Sequence, residues 1–284
     1  LAAGWLGGVG SARAGAAVAA ALPATADPRF VADGALTPEK IAGSYNNFYE
    51  FGFSKSVAAA SRKLRTDPWR ITVDGLCERP FEIDLDDLVK SSPLEERIYR
   101  LRCVEAWSMV IPWSGFPLAE LVKRAGPKAE AKYLRFESFN DPKVAAMQGS
   151  SRYPWPYVEG LTLAEATNEL AFLAVGIYGK PLPTQHGAPI RLVVPWKYGF
   201  KSAKSITRIS FVAKQPESFW MNLAYDEYGF FANVNPKVAH VRWSQASERR
   251  IADRETMVPT RLFNGYEEQV AGLYTGMEKQ RIWF

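Results

Sequence analysis

A chain of 284 residues has room for one large domain or two ordinary ones, and 47% hydrophobic with 23% charged residues is the make-up of a soluble globular protein. The net charge of +5 is scattered: Arg62–Arg65 and Arg97–Arg102 are short and broken by apolar residues, so no nucleic-acid partner is expected. Two cysteines, Cys77 and Cys103, and two histidines, His186 and His240, exclude a disulfide framework and show no zinc-site spacing, although one bridge is open to the cysteines in an oxidising compartment.

Residues 1–10 are small and apolar, and the alanines of Ser11-Ala12-Arg13-Ala14 stand as in a secretory cleavage site. Residues 1–14 therefore read as the remnant of a signal peptide, without its charged leading region and too short to span a bilayer. Residues 15–36 are expected to be a flexible segment, loose to about Phe30, with a catalytic domain over 37–284.

Ser44–Phe53 sets amides among aromatic rings on every face, which suits a core loop or a ligand-lining segment. Arg70–Val73 begins a strand, Asp74-Gly75 is a hairpin dipeptide, Phe81–Leu85 alternates like a half-exposed strand, and Asp86–Lys90 reads as a short helix. Glu95–Cys103 is expected as a strand running inward, after which the pattern changes and Gly115-Phe116-Pro117 breaks the chain. Leu118–Arg124 is a helix stopped by Gly126-Pro127, Tyr133–Phe139 a strand, and Leu161–Glu169 has helical spacing. Ala171–Ile177 is a short buried run, Gly187–Pro195 a buried strand carrying one arginine, and Ile206–Val212 a further strand. From Ser218 the chain is aromatic and irregular until Glu248–Ile251. The mixture without regular alternation predicts an α+β fold with mixed sheets and short helices.

Two constellations carry chemistry. Cys103 follows Arg100 and Arg102, and nearby cations lower a thiol's pKa toward the thiolate that binds soft metals. Glu105, two residues on, is placed to orient a ligand or relay a proton. The competing reading is a buried structural cysteine, which these residues alone do not displace, and the scarcity of histidine disfavours a cysteine protease. The second is His186-Gly187-Ala188-Pro189-Ile190-Arg191 with Lys197, Lys201 and Lys204 in the loop that follows. Such a set suits an anionic cofactor tail, against the alternative of a solvated basic loop, and it is neither a Walker nor a Rossmann pattern.

The segments YNNFYEFG at 45–52, PLEERIYRLRCVEAWSMVIPWSGFPL at 93–118, YVEGL at 157–161, HGAPIRLVVPWKYGFKSAKSI at 186–206, DEYGFFANVNP at 226–236 and RWSQASER at 242–249 closely resemble the catalytic subunits of the bacterial periplasmic methionine sulfoxide reductase systems. These belong to the sulfite oxidase fold family, and the match runs from about Leu36 to the C-terminus. The resemblance implies a molybdenum-molybdopterin cofactor in a sulfite-oxidase-type domain, with Cys103 as the metal ligand. It implies cofactor contacts from Asn46, Tyr49 and Glu50, from Ser138 (where relatives often carry threonine), from His186 (where some carry asparagine), and from Arg191, Ser202, Ala203 and Lys204. Glu105, Tyr228 and Trp107 are expected at the pocket wall or in proton delivery. The implied reaction is oxygen-atom transfer from methionine sulfoxide in oxidised periplasmic proteins. Electrons would come from a membrane-embedded haem-binding subunit to a monomeric catalytic subunit. Export through the twin-arginine route is implied too, although residues 1–14 hold no arginine pair. The alternatives are a sulfite-oxidase-like enzyme acting on another small S- or N-oxide, and a non-catalytic exported protein that binds a phosphate ligand.

Overall fold

The computed structural model describes residues 22–252, 254–277 and 279–283, so the expected signal remnant and residues 15–21 lie outside the described residues. Its strands are β1 (Thr25–Val31), β2 (Arg70–Gly75), β3 (Phe81–Asp84), β4 (Glu95–Cys103), β5 (Trp107–Pro117), β6 (Tyr133–Ser138), β7 (Val158–Thr162), β8 (Phe172–Ile177), β9 (Lys180–Pro181), β10 (Arg191–Val193), β11 (Ile206–Val212), β12 (Ser247–Arg250) and β13 (Thr256–Pro259). One sheet runs β1-β4-β5-β12-β13, with β8 also pairing β5 and carrying β9 and β10. The other runs β3-β2-β11-β6-β7, parallel only where β11 meets β2. Helices are short; Leu118–Ala125 is the longest among the described residues, and none of those is long and apolar enough to cross a membrane. Mixed sheets with short helices are the α+β arrangement expected.

Several local expectations change. Residues 25–31 are not loose: they pair in parallel with β4, with Thr25 opposite Glu95, and Phe30 is buried between the Arg97 guanidinium and Tyr99. Backbone pairing along a sheet edge orders a segment whose composition alone gives little reason to pack. Asp74-Gly75 closes no two-residue turn; β2 and β3 are joined through 76–80, and Gly75, at φ 84°, lies against the Phe211 backbone where a Cβ would not fit. Leu161–Glu169 is half strand, β7, and half a one-turn helix, Leu163–Ala166, begun by a Thr162–Glu165 capping box.

The largest departure is β5. The run from Trp107 to Pro117 is an 11-residue strand, and all but its last residue are buried. A strand covered on both faces shows no alternation, which hides it from a period-2 reading. Gly115 marks a register shift in the pairing with β8 and lies so close to the Leu173 carbonyl that a side chain is excluded. The helix Leu118–Ala125 and its left-handed cap at Gly126 form as the sequence predicts, with Leu118, Leu121, Val122 and Ala125 turned inward.

Two lysines of the loop after β10 are enclosed with carboxylates. Lys197 Nζ meets Glu165 Oε1 at 2.5 Å, and Lys201 Nζ meets Glu159 Oε2 at 2.5 Å. Glu159 and Lys201 are fully buried, so removing one partner strands the other in a low-dielectric interior. Lys201→Met is expected to lower unfolding stability by about 3–5 kcal/mol, with the Lys201→Met/Glu159→Leu double variant recovering most of it. Denaturant unfolding of the three proteins checks this, and a double variant no better than the single one refutes it.

Candidate active site

The inner end of β4 and the start of β5 are joined by a three-residue turn, 104–106. The Ala106 N–H donates to the Cys103 carbonyl at 3.1 Å, and Ala106 takes the left-handed conformation at φ 59°. A three-residue connection that ends in a left-handed residue is a common way to close a hairpin. Here it leaves Cys103 buried in the lining of a cavity. The Glu105 N–H donates to Cys103 Sγ at 3.5 Å, and Asn47 Nδ2 reaches it at 3.7 Å.

Glu105 stands beside the thiol in a dense polar cluster. Its carboxylate accepts from Trp107 Nε1 at 2.8 Å, Asn47 Nδ2 at 3.2 Å and the Tyr49 hydroxyl at 3.3 Å, and it pairs with Lys55. Burial pushes this carboxyl up, but the Lys55 and Trp107 hydrogen bonds and the Lys55 charge hold it below its ordinary value. Tyr49 is pushed up by burial and then by the Glu105 charge, so it stays a neutral donor.

Arg100 and Arg102 do not flank the thiol as expected. Alternation along β4 sends them elsewhere: Arg100 to Asp33 and the Asn264 carbonyl, Arg102 to Glu248, Gln245 and the Cys103 carbonyl. With the cations so engaged, burial and then the Glu105 charge push the free Cys103 thiol up to about 12. Cys77 is also a free, buried thiol, so the two are not bridged.

The cavity lining also holds basic residues. His186, Arg191, Ser202 and Lys204 all line it. Arg191 donates to the carbonyls of His186 at 2.9 Å, Leu192 at 3.2 Å and Ser202 at 3.4 Å, and its guanidinium lies 4.8 Å from the Trp113 ring. Lys204 Nζ reaches the carbonyls of Asn47 and Gln185. Burial pushes Arg191 down to about 10, and burial followed by repulsion from Arg191 pushes Lys204 well below the usual lysine range. His186 falls to about 3 through burial and then the Lys204 and Arg191 charges, so its imidazole is neutral. Glu50, the acidic residue of this wall, is pushed up by burial.

Most of the residues singled out from the sequence converge here: Asn46, Tyr49, Glu50, Cys103, Glu105, Trp107, His186, Arg191, Ser202, Lys204 and Tyr228 all line the one cavity. Ser138 and Ala203 do not. Ser138 donates to the Lys204 carbonyl at 2.6 Å, and the Ala203 carbonyl accepts the Leu192 N–H at 2.9 Å, so both act on the backbone behind the wall. Lys197 and Lys201 are spent on their internal glutamates. Sequence reasoning missed Asn47, although it lies inside the amide-rich aromatic segment, and it missed Lys55, Trp113, Tyr157, Phe200 and Trp220. For Lys55 no sequence signal existed.

The oxidoreductase molybdopterin-binding domain family matches residues 58–220, which makes the chain a molybdopterin-binding oxidoreductase. Proteins named protein-methionine-sulfoxide reductase catalytic subunit MsrP are similar over most of its length. The one from Pseudomonas syringae pv. tomato is 55% identical, covering 88% of this chain and 76% of that one, and the one from Burkholderia mallei is 52% identical, covering 94% and 82%. Among solved structures, the sulfane dehydrogenase SoxCD from Paracoccus pantotrophus aligns over 65% of this chain and 47% of its own, at 20% identity and a TM-score of 0.47. At such identity and coverage, the chain belongs to the family of protein-methionine-sulfoxide reductase catalytic subunits.

The neutral His186 has a consequence for pH. Its folded pKa of about 3 lies below its ordinary 6.5, so between these values the unfolded chain binds the proton that the folded chain refuses. Stability supplied by this group is complete above 6.5 and falls as the pH falls. In cofactor-free protein, wild type should lose about 2 kcal/mol more than His186→Asn between pH 7 and pH 5. Parallel denaturant titrations at the two pH values measure the difference, and equal losses would refute a neutral buried imidazole.

Proposed function

We propose that this chain reduces methionine sulfoxide residues of exported proteins to methionine at a molybdenum-molybdopterin centre. The observation that carries the reading is the donor set of the cavity. One buried thiol lines it together with buried Arg191 and part-buried Lys204, whose hydrogen bonds end on carbonyl oxygens. A soft metal requires the first, and a phosphate tail compensates the second. The donor set fits a group that carries both a metal and a phosphate.

Cys103 would hold the metal. Arg191, Lys204, Ser202 and His186 would hold the anionic tail, and Asn46 and Glu50 would close its flank. When bound, the cofactor supplies oxygen-atom transfer and storage for two electrons. Around it the chain's own residues orient and exclude. Tyr228 packs on Trp220 at 4.9 Å and on Phe200 at 5.2 Å, and Trp220 packs on Tyr49 at 5.0 Å, which gives the wall beside Cys103 an aromatic face suited to a thioether side chain. Glu105, held charged by Lys55 and Trp107, is the group placed to accept and return a proton next to the thiol, and Tyr49 is its hydroxyl neighbour. The two electrons must enter from outside, and a membrane-embedded haem-binding subunit is the donor that the family's catalytic-subunit character supports. An exported location, reached by the twin-arginine route, belongs to the same reading.

Metal analysis of protein matured in a cofactor-producing host tests this, with Cys103→Ser and Lys204→Met alongside. Wild type should carry near-stoichiometric molybdenum and reduce a methionine-sulfoxide-containing protein with a reduced viologen dye as donor. Cys103→Ser should lose turnover by at least about 10³-fold, the scale of a lost group in direct contact with the reacting centre. Lys204→Met should lose cofactor, yet melt higher than wild type when both are cofactor-free, because burial and the Arg191 charge disfavour the Lys204 ammonium. Molybdenum-free wild type would sink the reading. Metal-loaded protein active only on small S- or N-oxides would replace the substrate.

A further inference from the structure

The turn that presents Cys103 is gripped from behind by a segment far along the chain. The Val104 carbonyl accepts two hydrogen bonds, from Trp243 Nε1 at 2.7 Å and Gln245 Nε2 at 2.8 Å. The same peptide unit ends in the Glu105 N–H, which donates to Cys103 Sγ at 3.5 Å. Trp243 and Gln245 thus touch one end of a planar amide whose other end touches the sulfur.

Both donors are themselves fixed. Trp243 stacks on His240, with ring centroids 4.0 Å apart and planes 11° apart, beneath the Arg242 guanidinium at 4.8 Å. The Gln245 side chain is buried, and its Oε1 accepts from Arg102 Nη2 at 2.6 Å. That bond settles the amide orientation and leaves Nε2 for Val104. Arg102 in turn is held by Glu248 at 2.8 Å and also donates to the Cys103 carbonyl. Two successive carbonyls, of Cys103 and Val104, are therefore held on the side away from the cavity by groups from residues 102 and 243–248. Donors on a carbonyl polarise its amide and strengthen the N–H as a donor. Hydrogen bonds to a ligating sulfur draw electron density from it and raise the reduction potential of the metal it holds.

We infer that Trp243 and Gln245 are positioning residues that set the donor strength of the Cys103 sulfur through the Val104–Glu105 peptide. The inference rests on the reading of Cys103 as a metal ligand. Neither residue lines the cavity around the thiol.

Trp243→Phe keeps the stacked ring and removes the N–H; Gln245→Leu removes the other donor. In cofactor-free protein, both should speed hydrogen exchange at the Glu105 amide and move its proton resonance upfield. In loaded protein, with molybdenum content unchanged, both should shift the metal's reduction potential downward and move the sulfur-to-metal charge-transfer absorption, the double variant more than either single one. Gln245→Leu frees Arg102 and risks the fold, so Trp243→Phe is the deciding variant. Loaded Trp243→Phe with wild-type potential and absorption overturns the inference and leaves the ligand reading intact. If wild type carries molybdenum but Cys103→Ser leaves its spectrum unchanged, the ligand reading fails and the inference falls with it.

Discussion

Arg191 is buried and Lys204 part-buried in the wall of one cavity, and their hydrogen bonds end on backbone carbonyls. A folded chain tolerates such charge only when the rest of its structure over-determines it, because taking an unpaired ion from water costs several kcal/mol. Much of the architecture is that over-determination. β10 is fixed against β8 by antiparallel pairing, Ser202 Oγ accepts the Val194 N–H at 3.3 Å, and Ser138 clasps the Lys204 carbonyl. Next door, Lys197 and Lys201 are more deeply buried than Lys204, and each has its own glutamate. One short loop therefore holds two kinds of lysine. The paired lysines brace the fold, and Lys204 lines the cavity.

The thiol is organised by a different device. Cys103 is delivered by a hairpin whose turn geometry is ordinary, and the sulfur occupies the place that an Asx or hydroxyl oxygen takes when it caps a turn amide. What distinguishes this turn is the second layer behind it, in which Arg102, Trp243, Gln245 and Glu248 hold two carbonyls on its outer side. Reactive character at the thiol is thus separated from the arginines that precede it in sequence. Those arginines shape the backbone, while Asn47 and the Glu105 amide address the sulfur.

How much of this was legible in the sequence depended on the kind of signal. Leu118–Ala125 and β4 follow local rules, and both stand where their patterns put them. β5 was hidden because burial on both faces erases alternation, and β1 because strand pairing supplies order that an Ala-rich composition does not reveal. At the site, the cationic cluster was visible as residue types, but which lysines face the cavity was not. Lys197 and Lys201 find partners, Glu165 and Glu159, that lie more than thirty residues away and are matched only by folding. Lys55 reaches Glu105 across fifty positions for the same reason. Cys103, His186 and Arg191, named through the long matched blocks, line one cavity, while Ser138 and Ala203 are not in its lining.

The cavity is lined from residues 45–50, 101–113, 157, 186–204 and 220–228, so segments from early, middle and late in the chain meet around one space. Its walls are not complete until the last of these has come into place, and no single loop covers it. A molecule that filled this space would touch several of these segments at once. Its dwell time is then governed by the opening rate of the fold rather than by the strength of any one contact. Retention would persist through dilution and through long handling, and would end abruptly on heating, at the point where the sheets come apart.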